Sequence, residues 1–397
     1  MEKVSQRIAN LASSQTVAMN QKSKELQAQG IDIINLSVGE PDFFTPDHVK
    51  KAAKKAIDDN FSFYSPTNGF KDLLEAIVQK FKKENNLDFT TDQVMVSNGG
   101  KHAIANVLMC LVDKGDEVII PAPYWVSYSE LVKLAEGVNV IVPTTFGNDF
   151  KMTADQLEKA ITPKTKALIL CSPCNPTGSV YSHDELKALA DVLDKHKDVF
   201  ILSDEIYEHI NYVGKHESIA QFEFLRDRVV VINGVSKGYA MTGWRIGYIG
   251  APKWITKACS KLQGQMTTGA SSIAQKAAVA ALTSENSYTL MMRDAFKRRR
   301  DLVLGKLGEI KGLKVNKPEG AFYVFPDVSA YFGKSDGSST INNSSDMCLY
   351  LLNKGHIATV PGSAFGDDHC IRISYATSDE NLAEAMKRMK ASLEKLQ

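Results

Sequence analysis

The sequence carries no surplus of either charge. Its 47 Lys and Arg face 46 Asp and Glu over 397 residues, so no overall positive field exists to draw nucleic acid or an anionic membrane. An anionic ligand must be met by charges gathered locally. No apolar run reaches the roughly 18 residues that a membrane helix needs, and the opening MEKVSQRIANLASSQ lacks the apolar core of a secretory leader. Cysteine is sparse: six residues lie scattered along the chain, a pattern expected of reduced thiols in the cytoplasm rather than of a disulfide framework. No internal repeat is visible. Hydrophobic residues at 44% and charged residues at 23% exclude a disordered chain.

The length is more than one small core needs and points to two domains. From about Gln93, apolar runs alternate with amphipathic stretches: QVMVS, EVIIP, VNVIV, KALIL, VFILSDE, RVVVING and WRIGYIG. Such near-continuous apolar strands, mostly separated by helical patterns, predict a mainly parallel sheet buried on both faces, with ligands at the carboxyl ends of its strands. After about Ser284 the rhythm changes to a long charged helix, AFYVFP, a helix near Asp346 to Asn353, IATVP, CIRISYA and a closing helix. This reads as a smaller α+β domain. The expected division is 1–45 for an N-terminal arm and part of the small domain, 46–285 for the large domain and 286–397 for the rest of the small one. The polar stretch Gly333 to Asp346 is expected to be an exposed loop.

The segment VVINGVSKGYAMTGWRIGY places Lys237 in a Gly-rich turn after a buried strand, with Arg245 assigned to the next strand. An arbitrary lysine is most often a solvated one. A lysine at a strand end, near cations and little water, instead loses proton affinity, as attack on an aldehyde requires. Arg245 offers a planar fork for a phosphate and Ser236 a hydroxyl. In VFILSDEIY a buried strand ends on Asp204, which can cap a helix or pair with a protonated ring nitrogen. Tyr207 then reaches toward a phenolic oxygen or packs in the core.

Other segments carry weaker signals. Ser97-Asn-Gly99-Gly100-Lys101 opens a helix whose unpaired amides suit a phosphate, although a Gly-Gly pair is usually only a turn. Trp125 follows a strand and suits ring stacking or core packing equally. Cys171-Ser-Pro-Cys174 lacks the further ligands of a zinc site, and its prolines disfavour the helix of a thioredoxin-type motif, so neither is expected. Asn175 beside it offers an amide donor.

GEPD (Gly39 to Asp42), FYSPTNG (Phe63 to Gly69), SPCNPTG (Ser172 to Gly178), SDEIYEH (Ser203 to His209), SKGYAMTGWRIGY (Ser236 to Tyr248) and IRISYA (Ile371 to Ala376) occur in one order. Together they resemble the class I aminotransferases that use pyridoxal 5'-phosphate, specifically the bacterial aspartate aminotransferase branch, from about Ser14 onward. The resemblance implies the pyridoxal-phosphate fold type I, an α/β architecture with a seven-stranded sheet, a small domain drawn from both chain ends, and a homodimer with shared active sites. It implies that Lys237 carries the cofactor as a Schiff base, Asp204 pairs with the pyridine nitrogen, and Asn175 and Tyr207 serve the phenolic oxygen. Gly99, Gly100, Lys101, Ser236 and Arg245 would surround the phosphate, with Tyr64 reaching the neighbouring subunit's phosphate, and Trp125 would stack on the ring. Arg372, the Gly39 amide and Asn175 would grip the substrate α-carboxylate, and Lys101, Ser14 and Thr16 a distal carboxylate. Gly234 departs from relatives with serine three residues before the lysine, and others carry Ser or Thr at Gly99 and Lys101.

The expected reaction is ping-pong transfer of an amino group between L-aspartate and 2-oxoglutarate, with amino acids and 2-oxo acids as the only partners besides a second copy. Rivals within the fold take aromatic amino acids, alanine, prephenate or another 2-oxo acid, or cleave a β-leaving group. A regulator's effector-binding module is disfavoured, since only about a dozen residues precede the matched region.

Overall fold

The computed structural model describes residues 4–13 and 15–397. Twelve strands are present among them. β1 is Ile34–Asn35; the main sheet is built from β2 (Val94–Ser97), β3 (Glu117–Ala122), β4 (Val138–Pro143), β5 (Thr165–Cys171), β6 (Phe200–Asp204), β7 (Val229–Gly234) and β8 (Gly247–Gly250). Its order is β2-β8-β7-β6-β5-β3-β4. Six strands are parallel, and β8 runs antiparallel to both neighbours. The expected α/β class and seven-stranded sheet of fold type I are those of the structure.

Side-chain alternation explains why these strands read as unbroken apolar runs. Val96, Ile119, Leu168, Ile201 and Val231 enter a core on one face; Met95, Val118, Ile169, Leu202 and Val230 enter a core on the other. Both faces are dry, so successive residues must all be apolar. The covering helices follow local rules. Helix His183–Lys195 starts in a reciprocal capping box between Ser182 and Glu185, and presents Leu186, Leu189, Ala190 and Leu193 at helical spacing to the first core. Loss of such a cap costs about 1 kcal/mol.

A third core gathers both chain ends. β1 pairs parallel with β10 (Ile357–Ala358), while β9 (Tyr323–Val324), β11 (Val360–Pro361) and β12 (Ile371–Ser374) form a small sheet in the order β11-β12-β9. Ile34 and Leu36 share this core with Phe296 and Val303 of helix Ser287–Leu307 and Met386 of helix Asp379–Leu393. Arg299 clamps Asp42 of GEPD with two hydrogen bonds of 2.7 and 2.9 Å, fixing the entry of the N-terminal segment.

Two expectations need correction. Arg245 does not lie on a strand: it ends the 3-10 turn Thr242–Trp244 with φ +58° and precedes β8. Parallel β6 and β7 are joined by a connection that holds the 3-10 turns Ile219–Gln221 and Glu223–Leu225, and antiparallel β7 and β8 need no crossover helix. The helix placed near Asp346 to Asn353 is present and runs over Ser344–Gly355, capped by the Asn343 side chain. The Gly333 to Asp346 stretch is folded rather than simply exposed. Asp336 accepts from Ser338 and Ser339, Ser335 exchanges backbone bonds with Gln397, and Ile341 is fully buried.

Candidate active site

The carboxyl ends of β5, β6 and β7 open into one pocket. Its lining includes Gly39, Gly100, Lys101, Trp125, Asn175, Asp204, Tyr207, Ser236, Lys237, Arg245 and Arg372, with Thr16 at its edge. A parallel sheet delivers these residues together because adjacent strands end side by side. Cys171 and Asp204, for instance, are register partners.

Lys237 follows β7 and donates from Nζ to the Gly39 carbonyl at 2.6 Å. Burial pushes its ammonium down to about 8; Arg372 and Arg245 add to that push, while Glu40 and Asp204 oppose it. Asp204 is 5% exposed. Its Oδ2 accepts from the Tyr128 hydroxyl at 2.6 Å and its Oδ1 from the Ile206 amide at 3.2 Å. Burial lifts this carboxyl to about 6 against the Tyr128 hydrogen bond. Asp204 therefore caps its own turn and also faces the pocket.

Arg372 is the largest fully buried side chain among the described residues, 2% exposed. It donates from Nη1 to Asn175 Oδ1 at 3.1 Å and from Nη2 to the Ser37 carbonyl at 2.6 Å, and lies over the Tyr323 and Phe365 rings. Its buried Nε has no partner, and no carboxylate pairs with it among the described residues. Such a cation is costly unless an anion completes it. Across the pocket, Lys101 Nζ lies 5.0 Å from the Trp125 ring centroid, and burial followed by Arg245 lowers its proton affinity.

Gly99 and Gly100 open helix Gly100–Leu111. Gly99 has φ +87°, and a side chain there would strike the Arg245 guanidinium; one on Gly247 would strike the Gly100 amide. The glycines thus let Arg245, β8 and an open helix N-terminus crowd together, a cradle suited to phosphate. Among the described residues, Arg245 bonds only backbone carbonyls, those of Thr242 and Asn98. Gly99 itself lies behind the pocket lining. Gly234 sits against the Ile246 carbonyl and Gly247, which leaves little room for a serine.

Tyr64 is 94% exposed and away from this pocket, and Ser14 lies outside the described residues. Sequence reasoning missed Tyr128 and Tyr323. Tyr128 packs edge-on against Trp125, and Tyr323 shares a 2.8 Å hydrogen bond with Tyr207. A signal existed for Tyr128, which stands one helical turn after Trp125. Tyr323 had none, since AFYVFP reads as plain core.

The chain matches the family "Aminotransferase class I and II" across residues 31–389. It belongs to that family. A probable aspartate/prephenate aminotransferase of Rickettsia bellii is 48% identical over 98% of both chains. A bifunctional aspartate aminotransferase and glutamate/aspartate-prephenate aminotransferase of Petunia hybrida is 46% identical over 98% of this chain and 82% of its own. Among solved structures, the aspartate aminotransferase of Rhizobium meliloti superposes with a TM-score of 0.97 at 42% identity, covering both chains fully. That of Thermus thermophilus with maleate gives 0.93 at 42% identity over 99% of this chain and all of its own. The chain is thus an aminotransferase dependent on pyridoxal phosphate. No helix among the described residues is long and apolar enough to cross a membrane.

The lowered Lys237 gives a pH prediction. Only its neutral amine attacks an aldehyde, so the rate at which the cofactor-free enzyme binds pyridoxal phosphate covalently should fall about tenfold per pH unit below about 8. Stopped-flow absorbance measures it. A rate independent of pH between 6 and 8 would mean that burial does not control this amine.

Proposed function

We propose that this aminotransferase moves the amino group reversibly between L-aspartate and 2-oxoglutarate. The observation that carries the reading is a pair of cations in one pocket, Arg372 and Lys101, neither with a carboxylate partner among the described residues. A dicarboxylate substrate would satisfy both. The relatives named for aspartate, and the Thermus thermophilus structure with maleate, itself a dicarboxylate, support this choice. Names that add prephenate support a second reading, in which prephenate also serves as amino acceptor.

The residues present fit the cofactor. The glycine cradle and Arg245 would hold its phosphate with Ser236, Asp204 would meet its ring nitrogen, and Tyr207 and Asn175 its phenolic oxygen, with Trp125 against the ring. When bound, pyridoxal phosphate supplies an aldehyde for amines and a ring that accepts an electron pair. Arg372 binds the substrate α-carboxylate with the Gly39 amide and Asn175, and so orients Cα. Lys237 would take the Cα proton on Nζ and return a proton in the reverse half reaction. With the cofactor bound, ionised Asp204 would hold a proton on the ring nitrogen, Tyr128 steadying its carboxylate. Lys101, with Thr16 and Ser14, meets the distal carboxylate.

Exposed Tyr64 suits a site completed by a second copy, so we read the protein as a cytoplasmic homodimer with shared sites. We place the large domain at 46–285 and the small domain at 286–397 with the arm 1–45.

Lys101→Ser tests the substrate. A charged hydrogen bond is worth ~1.5–3 kcal/mol, so kcat/KM for aspartate and glutamate should fall roughly ten- to a hundredfold while alanine and phenylalanine are spared. Equal losses for all four would make Lys101 a general site residue. Steady-state assays with prephenate as acceptor decide the second reading.

A further inference from the structure

The two cysteines of Cys171-Ser-Pro-Cys174 stand between groups on which the site depends. Cys171 ends β5 directly beside Asp204, lines the main pocket and is only half-buried. Cys174 lies behind it, 9% exposed, and both thiols border a second small cavity with Tyr128 and Tyr181. Both are free. Cys174 is followed at once by Asn175, whose Oδ1 receives Arg372. Cys171 also neighbours Tyr128, the phenol that donates to Asp204. The thiols donate only weakly, to the Pro173 carbonyl at 3.4 Å and the Pro123 carbonyl at 3.8 Å, so neither is held by a strong partner.

We propose that Cys171 and Cys174 are an oxidisable dithiol, which hydrogen peroxide closes into an intramolecular disulfide that disables the site. The prolines that exclude a thioredoxin-type helix do not prevent this, because bridge formation needs only two sulfurs within reach on one side of a turn. One cysteine thiolate attacks one peroxide oxygen; the O–O bond breaks, hydroxide leaves and a sulfenic acid forms. The other cysteine sulfur then attacks that sulfur. An S–S bond forms, the S–O bond breaks and water leaves, so two thiols and one peroxide become one disulfide and two waters.

Cys171 is the thiol open to the main pocket, and Cys174 lies behind it on the wall of the second cavity. Closure draws the chain at Cys174 toward β5 and takes Asn175 with it, loosening its hydrogen bond to Arg372.

The test treats the holoenzyme with hydrogen peroxide, blocks remaining thiols by alkylation and reads unreduced peptides by mass spectrometry. The expected product is a Cys171–Cys174 bridge within one peptide, lighter by two hydrogens. Transamination should fall by about tenfold or more, the loss of one charge-assisted hydrogen bond, and dithiothreitol should restore it. Cys174→Ser, with Cys174→Ala as a second variant, should keep its starting activity and lose the dithiothreitol-reversible inactivation. Alkylatable Cys171 and Cys174 after peroxide, a sulfinic acid on one of them alone, or a bridge between Cys110 and Cys259 instead would each overturn the proposal. So would a Cys171–Cys174 bridge that leaves activity unchanged. The peptide readout does not depend on which amino acid the enzyme takes, so failure here is separate from failure of the aspartate reading.

Discussion

Lys237→Ala is expected to abolish transamination, with turnover falling roughly 10⁴-fold or more, while the protein still takes up pyridoxal phosphate. The amine is asked to do two tasks, carrying the cofactor and moving the Cα proton, and general base catalysis alone contributes about 10²- to 10⁴-fold. Cofactor retention rests on other groups: the glycine cradle, Arg245 and Asp204 lie in the same pocket and are untouched by the change. Borohydride reduction followed by peptide mapping should place the cofactor on Lys237 in the wild type and nowhere in the variant. Label on another lysine, or a variant within tenfold of wild-type turnover, would show that the buried amine beside Gly39 is not the carrier.

Lys80→Ala should destabilise the protein by about 3–5 kcal/mol, since removing one partner of a buried ion pair strands the other. Lys80 is wholly buried in an ion pair with Glu208, and Asn85 bridges the two with hydrogen bonds of 2.8 Å. Burial opposes the charge on Glu208, but Lys80, His209 and His216 outweigh it and hold the carboxyl down to about 2. Burial likewise disfavours the His216 cation, yet Glu205 and Glu208 raise it overall. The signs set the pH dependence. The Glu208 contribution is complete above the usual carboxylate value and is lost as pH falls toward about 2. The His216 contribution is complete below the usual histidine value and is lost as pH rises through its raised one. Denaturant unfolding of wild type and Lys80→Ala across that range measures both. Lys80→Ala/Glu208→Gln should recover part of the loss, because no buried charge is then left unpaired; a double variant as unstable as the single one would locate the cost in packing instead.

This network shows where reading the sequence stopped. Lys80 sits in a helix that looks amphipathic and solvated, and Glu205, Glu208 and His209 pass for ordinary polar residues flanking Asp204 and Tyr207. Nothing local reveals that a helix distant in sequence seats its lysine under the turn that follows β6. The seven strands of the main sheet were legible for the opposite reason. Burial on both faces demands an apolar residue at every position, and that demand is written into each run. Arg245 lay between these cases. The apolar run WRIGYIG suggested a strand through it, yet the backbone turns at Arg245 itself, with φ +58°, before β8 begins.

The sequence by itself determined the fold class, the family and part of the pocket lining, Lys237, Asp204, Asn175 and Arg372 among it, because motif order, strand hydrophobicity and glycine spacing are local properties that survive without coordinates. Only the tertiary structure decided what each group meets there. Tyr128 came to Asp204 from a helix after β3, Arg372 to Asn175 from the other end of the chain, and Cys171 to the pocket wall beside Asp204. Those contacts set the proton affinities of Lys237 and Asp204, since desolvation and neighbouring charge depend on distance through space, which separation along the chain does not record.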